Sequence, residues 1–171
     1  GKFRRQRQMC IRDSINSWEE SFPNLKIISS LQVCNLKKNI EVIKGNWHSE
    51  ALSDEDMRDL YRDSEFIIIP LKETFQPSGQ STCLQAMSCS KATVLTKVKG
   101  IWDKNIMKHK DNIFFIRVGN ELDLKKSIKI LVKDIHLRES LEKEGRNLVI
   151  TRFNSLIMAN NLKNYLFGEI Y

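Results

Sequence analysis

Four consecutive apolar residues, Phe66-Ile67-Ile68-Ile69, run into Pro70 just behind a clearly signalled helix. A strand with one wet face alternates apolar and polar side chains, so a run without alternation belongs to a strand covered on both faces. The helix before it begins at Ser53, a good N-cap. Asp54, Glu55 and Asp56 then place negative charge at the positive end of the helix dipole. Leu52 and Met57 are spaced as a hydrophobic staple, and Met57, Leu60 and Tyr61 recur at helical spacing. A helix feeding a doubly covered strand is the repeating unit of a parallel sheet.

The rest of the chain repeats that unit. Residues 15–21 are expected to end a helix closed by Pro23, followed by a strand at Leu25-Lys26-Ile27-Ile28-Ser29 and a second at Ile40-Glu41-Val42-Ile43, stopping at Gly45. A turn-rich loop, Lys72 to Gly79, separates the apolar run from a helix over about Gln80 to Ser90 that packs through Cys83, Leu84, Ala86 and Met87. Further strands are expected at Thr93-Val94-Leu95-Thr96 and Ile113-Phe114-Phe115-Ile116, with a loop and one helical turn between them. From Glu121 onward the pattern is helical. Leu124, Ile128 and Leu131 form one stripe and Leu137, Leu141 and Leu148 another, and a break at Arg152-Phe153-Asn154 precedes a helix with Met158, Leu162 and Leu166. The fold class is α/β, a Rossmann-like parallel sheet flanked by helices. Such a unit should open with a strand and a ligand-binding loop, whereas this chain starts inside its first helix.

Bulk properties narrow the partners. A chain of 171 residues has room for one well-buried domain. No segment reaches the roughly 20 apolar residues of a membrane span, and the basic N-terminus lacks the apolar stretch of a secretory signal. The expected compartment is the cytoplasm, with a peripheral position at the inner membrane open to it through the basic final helices. The +7 net charge does not argue for nucleic acid. Lys2, Arg4, Arg5, Arg7 and Arg12, against the single acid Asp13, concentrate more than half of it in residues 1–14. Met9-Cys10-Ile11-Arg12-Asp13-Ser14 also resembles the translation of a transposon-end adapter used in sequencing libraries, so residues 1–14 are read as a non-native or disordered leader and 15–171 as the lobe. Cys10, Cys34, Cys83 and Cys89 form no C-x-x-C pair and have no histidine at ligand spacing. Reduced thiols and no metal or cofactor are the expectation.

Ligands of open parallel sheets bind beyond the carboxyl ends of the strands. The loop after Ile69 lies there, and Ser78-Gly79-Gln80-Ser81-Thr82 puts small residues at a helix start, where free amides and the helix dipole suit a phosphate. Ser and Gly also cap helices that bind nothing. Trp47 and His48 follow the second strand at the same edge of the sheet, where they either border a base or sugar or form a packed turn; Trp102 and Asp103, after Gly100, have the same two readings. His109 and His136 sit among lysines and are expected to be solvated. No nucleophile–base pair and no paired carboxylates stand out.

From Leu52 to about Phe153 the chain resembles the C-terminal lobe of the retaining glycosyltransferase family called group 1. The resemblance runs through Leu52 to Tyr61, Phe66 to Pro70, Ser78 to Met87 and Ser88 to Val94, and closes at Gly145-Arg146-Asn147 and Arg152-Phe153-Asn154. It implies two Rossmann-like lobes, called GT-B, with a nucleoside-diphosphate sugar held mainly by the C-terminal one. It also implies retained anomeric configuration and no tightly bound metal. The family's usual motif is a Glu, seven residues, then a Glu followed by Ala-Met. Gln85, before Ala86-Met87, takes the second place, where the residue accepts from the nucleotide ribose. Pro77 stands at the first, leaving Glu73 as the acid on the same loop.

The resemblance thus implies a fragment of a sugar transferase. Ser78, Gly79, Gln80, Ser81 and Thr82 would neutralise the departing diphosphate and Gln85 would hold the ribose, with Glu73 as a substitute acid. The acceptor site and the N-terminal lobe would lie upstream. The rival is a non-catalytic module that holds a nucleotide or phosphosugar, or docks a partner, on the same α/β unit.

Overall fold

The computed structural model describes residues 14–29, 36–44 and 52–168. After a short helical stretch at 14–17, the elements are β1 (Leu25–Ser29), β2 (Ile40–Lys44), α1 (Asp54–Asp63), β3 (Phe66–Ile69), α2 (Gln80–Ser88), β4 (Ala92–Thr96), β5 (Phe114–Ile116), α3 (Glu121–Lys133), α4 (Ile135–Arg152) and α5 (Ser155–Phe167). All pairing is parallel, as the unalternating run requires, but it falls into two sheets, β1–β2 and β3–β4–β5.

The three-stranded sheet is covered on both faces. Side chains two apart share a face. Phe66, Ile68, Ala92, Val94, Phe114 and Ile116 therefore enter one core cluster with Trp18, Phe22, Leu124, Ile128 and Leu131. Ile67, Ile69, Leu95, Ile113 and Phe115 enter the other, with Cys83, Met87 and Leu148. All five residues of β4 are buried. Leu25, Ile27, Ile40 and Val42 of the smaller sheet join the first cluster as well.

Helix boundaries follow local chemistry. Ser53 and Asp56 form a reciprocal capping box: the Ser53 hydroxyl accepts from the Asp56 amide at 3.0 Å, and the Asp56 carboxylate accepts from the Ser53 amide at 3.1 Å. The Ser53 hydroxyl, which donates to the Asp56 carboxylate at 2.6 Å, and then the Ser53 amide hold that carboxyl below its ordinary range. The side chains of Asn120, Asp134 and Asn154 each accept from the amide three residues on and so cap α3, α4 and α5, without the return bond. The first helix is shorter than its pattern implies, because Glu20 and Ser21 already turn towards Pro23. The segment between β4 and β5 has turns and no helix; the Asp103 carboxylate accepts from the Asn105 and Ile106 amides and fixes a turn there.

Two features add to the sequence reading. His109 is not merely solvated: its Nδ1 accepts from the Phe115 amide at 2.9 Å and its ring meets Phe114 edge-on. Partial burial, then Lys110 and Lys97, lower its pKa, which keeps it a neutral acceptor. The apolar residues of α5 do not pack; none of that helix is buried. Gly45, Trp47, His48, Cys10 and Cys34 lie outside the described residues. No described helix is long and apolar enough to cross a membrane.

Two outcomes test this packing. Gly145 lets α4 cross α2 closely, since a Cβ there would stand 3.3 Å from both the Met87 side chain and the Asn112 carbonyl. Gly145→Leu is expected to destabilise the chain by about 1–3 kcal/mol, as overpacking does, measured by urea unfolding. Burial pushes the Cys83 thiol up to about 12. Iodoacetamide at mildly alkaline pH should therefore leave Cys83 unmodified in the folded protein and label it after unfolding, read by peptide mass spectrometry.

Candidate functional site

The carboxyl ends of β3 and β4 carry two loops that are fastened together. The Gly100 amide donates to the Thr74 carbonyl at 2.8 Å, and the Lys99 amide donates to Glu73 Oε1 at 2.8 Å. The Leu71 amide donates to Thr96 Oγ1 at 2.9 Å, tying the end of β3 to β4. Gly100 is required by this contact: a Cβ there would lie 2.2 Å from the Gln76 carbonyl oxygen. The sequence shows the glycine but not the partner loop that demands it. Lys99 Nζ also lies 5.2 Å from the ring centroid of Phe75, a largely exposed side chain at the rim.

That platform presents the start of α2. Gly79 is the N-cap at φ +75°, a left-handed conformation natural to glycine, and no side chain caps the helix. The first helical bond runs from the Cys83 amide to the Gly79 carbonyl at 2.9 Å, so the amides of Gln80, Ser81 and Thr82 precede the hydrogen-bonded ladder. The Ser78 amide is engaged with the Gln76 carbonyl at 2.7 Å. Ser81 and Thr82 are exposed, while Cys83, Ala86 and Met87 anchor the opposite side of the helix. No acid occupies the first turn of α2 to satisfy the dipole, in contrast to α1 and α3.

Ser78 and Gly79 thus form the turn into α2 and Gln80, Ser81 and Thr82 its first residues, with Glu73 on the preceding loop and Gln85 further along the helix. Glu73 is exposed, but one of its oxygens is held by the Lys99 amide, a structural role the sequence did not reveal. A Cβ at Gly79 would point towards Ile69 at 3.1 Å and Leu71 at 3.3 Å, so this glycine serves the turn against the core. Gln85 lies further along α2, where Tyr61 of α1 donates its hydroxyl to Gln85 Oε1 at 3.4 Å. Burial, then Cys89 and Cys83, push the Tyr61 phenol up, which keeps it protonated as a donor. Among the described residues no three His, Cys, Asp or Glu side chains converge as a metal site.

No family model and no curated protein matches this sequence. Solved structures do. HepE from Anabaena, in complex with UDP and glucose, aligns with a TM-score of 0.65 at 16% identity, over 78% of this chain and 33% of its own. The C-terminal domain of LpcC, a glycosyl transferase group 1 family protein from Francisella tularensis, gives 0.56 at 21% identity, over 70% of this chain and 56% of its own. Sucrose-phosphate synthase from Thermosynechococcus elongatus gives 0.61 at 17% identity, over 76% of this chain and 31% of its own. The chain spans about a third of the HepE and sucrose-phosphate synthase chains. What is shared at these identities is the fold: a parallel sheet with flanking helices, that of the C-terminal lobe of GT-B glycosyltransferases.

Proposed function

We propose that this chain is the donor-binding lobe of a glycosyltransferase that moves a sugar from a nucleoside-diphosphate sugar to an acceptor hydroxyl. The observation that carries the reading is the α2 N-terminus, which has no side-chain cap and no first-turn acid and stands at the carboxyl ends of the strands. Free amides and an uncompensated dipole suit a diphosphate, and HepE, which shares the fold, is described in complex with UDP and glucose. During transfer the bond between the anomeric carbon and the diphosphate oxygen breaks, and the electron pair leaves on that oxygen. Amides of Gln80, Ser81 and Thr82, with the Ser81 and Thr82 hydroxyls, would stabilise this charge from fixed positions. Gln85 Oε1 already accepts from Tyr61, which leaves its second lone pair and the Nε2 donors for the ribose. Retained configuration, the acceptor and the second lobe belong to the same reading.

Two observations favour the rival binding module. Glu73, the loop acid, is already held by the Lys99 amide, and Pro77 stands where the motif's first acid would be. The two readings part on turnover: joined to an upstream lobe, a transferase releases nucleoside diphosphate only as sugar moves, whereas a binding module turns nothing over.

Calorimetric titration of uridine, guanosine and adenosine diphosphates tests the site. Ser81→Ala should weaken binding about fivefold, the loss of roughly 1 kcal/mol for one hydrogen bond. Gln85→Glu should tighten it, since a carboxylate has one oxygen for Tyr61 and a charged acceptor for a ribose hydroxyl. Gly79→Val should abolish binding, while Gly79→Asn, which tolerates φ +75° better, should keep part of it. Equal binding by a folded Gly79→Val chain would move the cradle elsewhere. No binding of any diphosphate, even with an upstream lobe joined, would end the transferase reading.

The fastened loops give a separate outcome. Gly100→Ala must push residues 73–76 away from 97–100. It is expected to lower both thermal stability and diphosphate affinity, whereas Lys143→Gln, an exposed change in the middle of α4, should leave both unchanged.

A further inference from the structure

We infer that the His109 imidazole is a proton-operated latch on the outer edge of the three-stranded sheet, closed while the ring is neutral and opened in mild acid. Among the described residues β5 is the last strand of that sheet. Along a strand the backbone groups of successive residues turn alternately to its two sides. The Ile116 carbonyl faces β4, accepting from the Lys97 amide at 2.8 Å, so the amide and carbonyl of Phe115 point outward. An outward row of this kind can pair with any strand that meets it unless something covers it.

The turn ahead of β5 supplies the cover. The Lys110 amide donates to the Ile113 carbonyl at 2.8 Å, and the Phe115 amide donates to His109 Nδ1 at 2.9 Å. The imidazole thus takes the place that the carbonyl of a neighbouring strand would have. Its ring is seated edge-on against Phe114, with 4.8 Å between centroids and 73° between planes. The base of the turn is held separately. Asn112 is buried, accepts from the Lys108 amide at 3.0 Å and donates to the Ile106 carbonyl at 2.9 Å, and Met107 is buried in the core. No titratable group takes part in that clasp, so a change at His109 is confined to the tip of the turn and the edge it covers.

Protonation removes the acceptor. A charged imidazole carries a hydrogen on both nitrogens, so Nδ1 would then set an N–H against the Phe115 N–H. Partial burial opposes the charged ring first. The charged groups that face it, Lys110 on the same turn and Lys97 just beyond β4, are both cations and act in the same direction. Lys108 and Asp111, its other charged neighbours along the turn, are exposed. Lys110 also holds φ +63°, a left-handed conformation costly for a residue with a side chain, and opening the turn releases it. The ring's folded-state pKa lies below the ordinary value of about 6.5. The latch therefore contributes fully above that value, and its contribution is lost as pH falls through the lower, folded one.

Nuclear magnetic resonance of the nitrogen-15-labelled chain tests the latch. At pH 7.5 the ring spectrum of His109 should show a bare Nδ1 and the proton on Nε2. Between pH 7.5 and pH 5 the protection of the Phe115 amide from exchange, corrected for the intrinsic effect of pH, should fall about tenfold, the scale of one hydrogen bond. That fall should follow the protonation of His109 in the same samples, while Leu95 in β4 stays protected. Neither His109→Ala nor His109→Asn can titrate, so neither should show the step; the Asn variant keeps an acceptor on the turn and serves if the Ala variant does not fold. A proton on Nδ1 at pH 7.5 would overturn the inference. So would equal Phe115 protection at both pH values, a fall that departs from the His109 titration, or a step that persists in a folded variant.

Discussion

Double coverage of β4 is the constraint from which the rest follows. Ala92 and Val94 are buried against one helical layer and Leu95 against the other, so β4 has no wet face and its polar backbone is satisfied by β3 and β5. Any free hydrogen-bonding capacity must then appear where strands end and helices begin. The α2 start is such a place. Its anchor residues Cys83 and Met87 belong to the same cluster as Leu95, so the geometry of the exposed amides is set by the core beneath them.

The loops at that edge owe their shape to one another more than to their own residues. Glu73 caps the Lys99 amide, Thr74 receives Gly100, and Gly100 can approach because it has no side chain. The two segments are separated along the chain by a whole helix and a strand. A substitution in one is therefore felt in the other, and the left-handed turn at Gly79 stands at the end of that shared structure.

Most elements were legible in the sequence because their signals are local. The capping box at Ser53 and Asp56, the unalternating Phe66–Ile69 run and the Leu124, Ile128, Leu131 stripe each declare themselves within one or two turns. The loop with Ser78 to Thr82 was legible as a helix start for the same reason. What escaped was tertiary. The bond from Tyr61 to Gln85 joins α1 to α2, the demand for Gly100 comes from Gln76, and the His109 acceptor serves Phe115. Nothing in the spacing of single residues encodes such pairs. The short helix near Ile15 was overread because an apolar pattern persists through Trp18 and Phe22, although they are held by turns, with the indole of Trp18 donating to the Pro23 carbonyl at 2.9 Å.

The terminal helix has a consequence of another sort. Met158, Leu162, Tyr165 and Leu166 line one side of α5, and each is more than half exposed. Solvent-facing apolar surface of this kind is what holdase chaperones and proteases recognise. In a cell the lifetime of this lobe would depend on how soon α5 finds cover as much as on the strength of its sheet. Turnover of the polypeptide, and not melting, would then set how much of it accumulates.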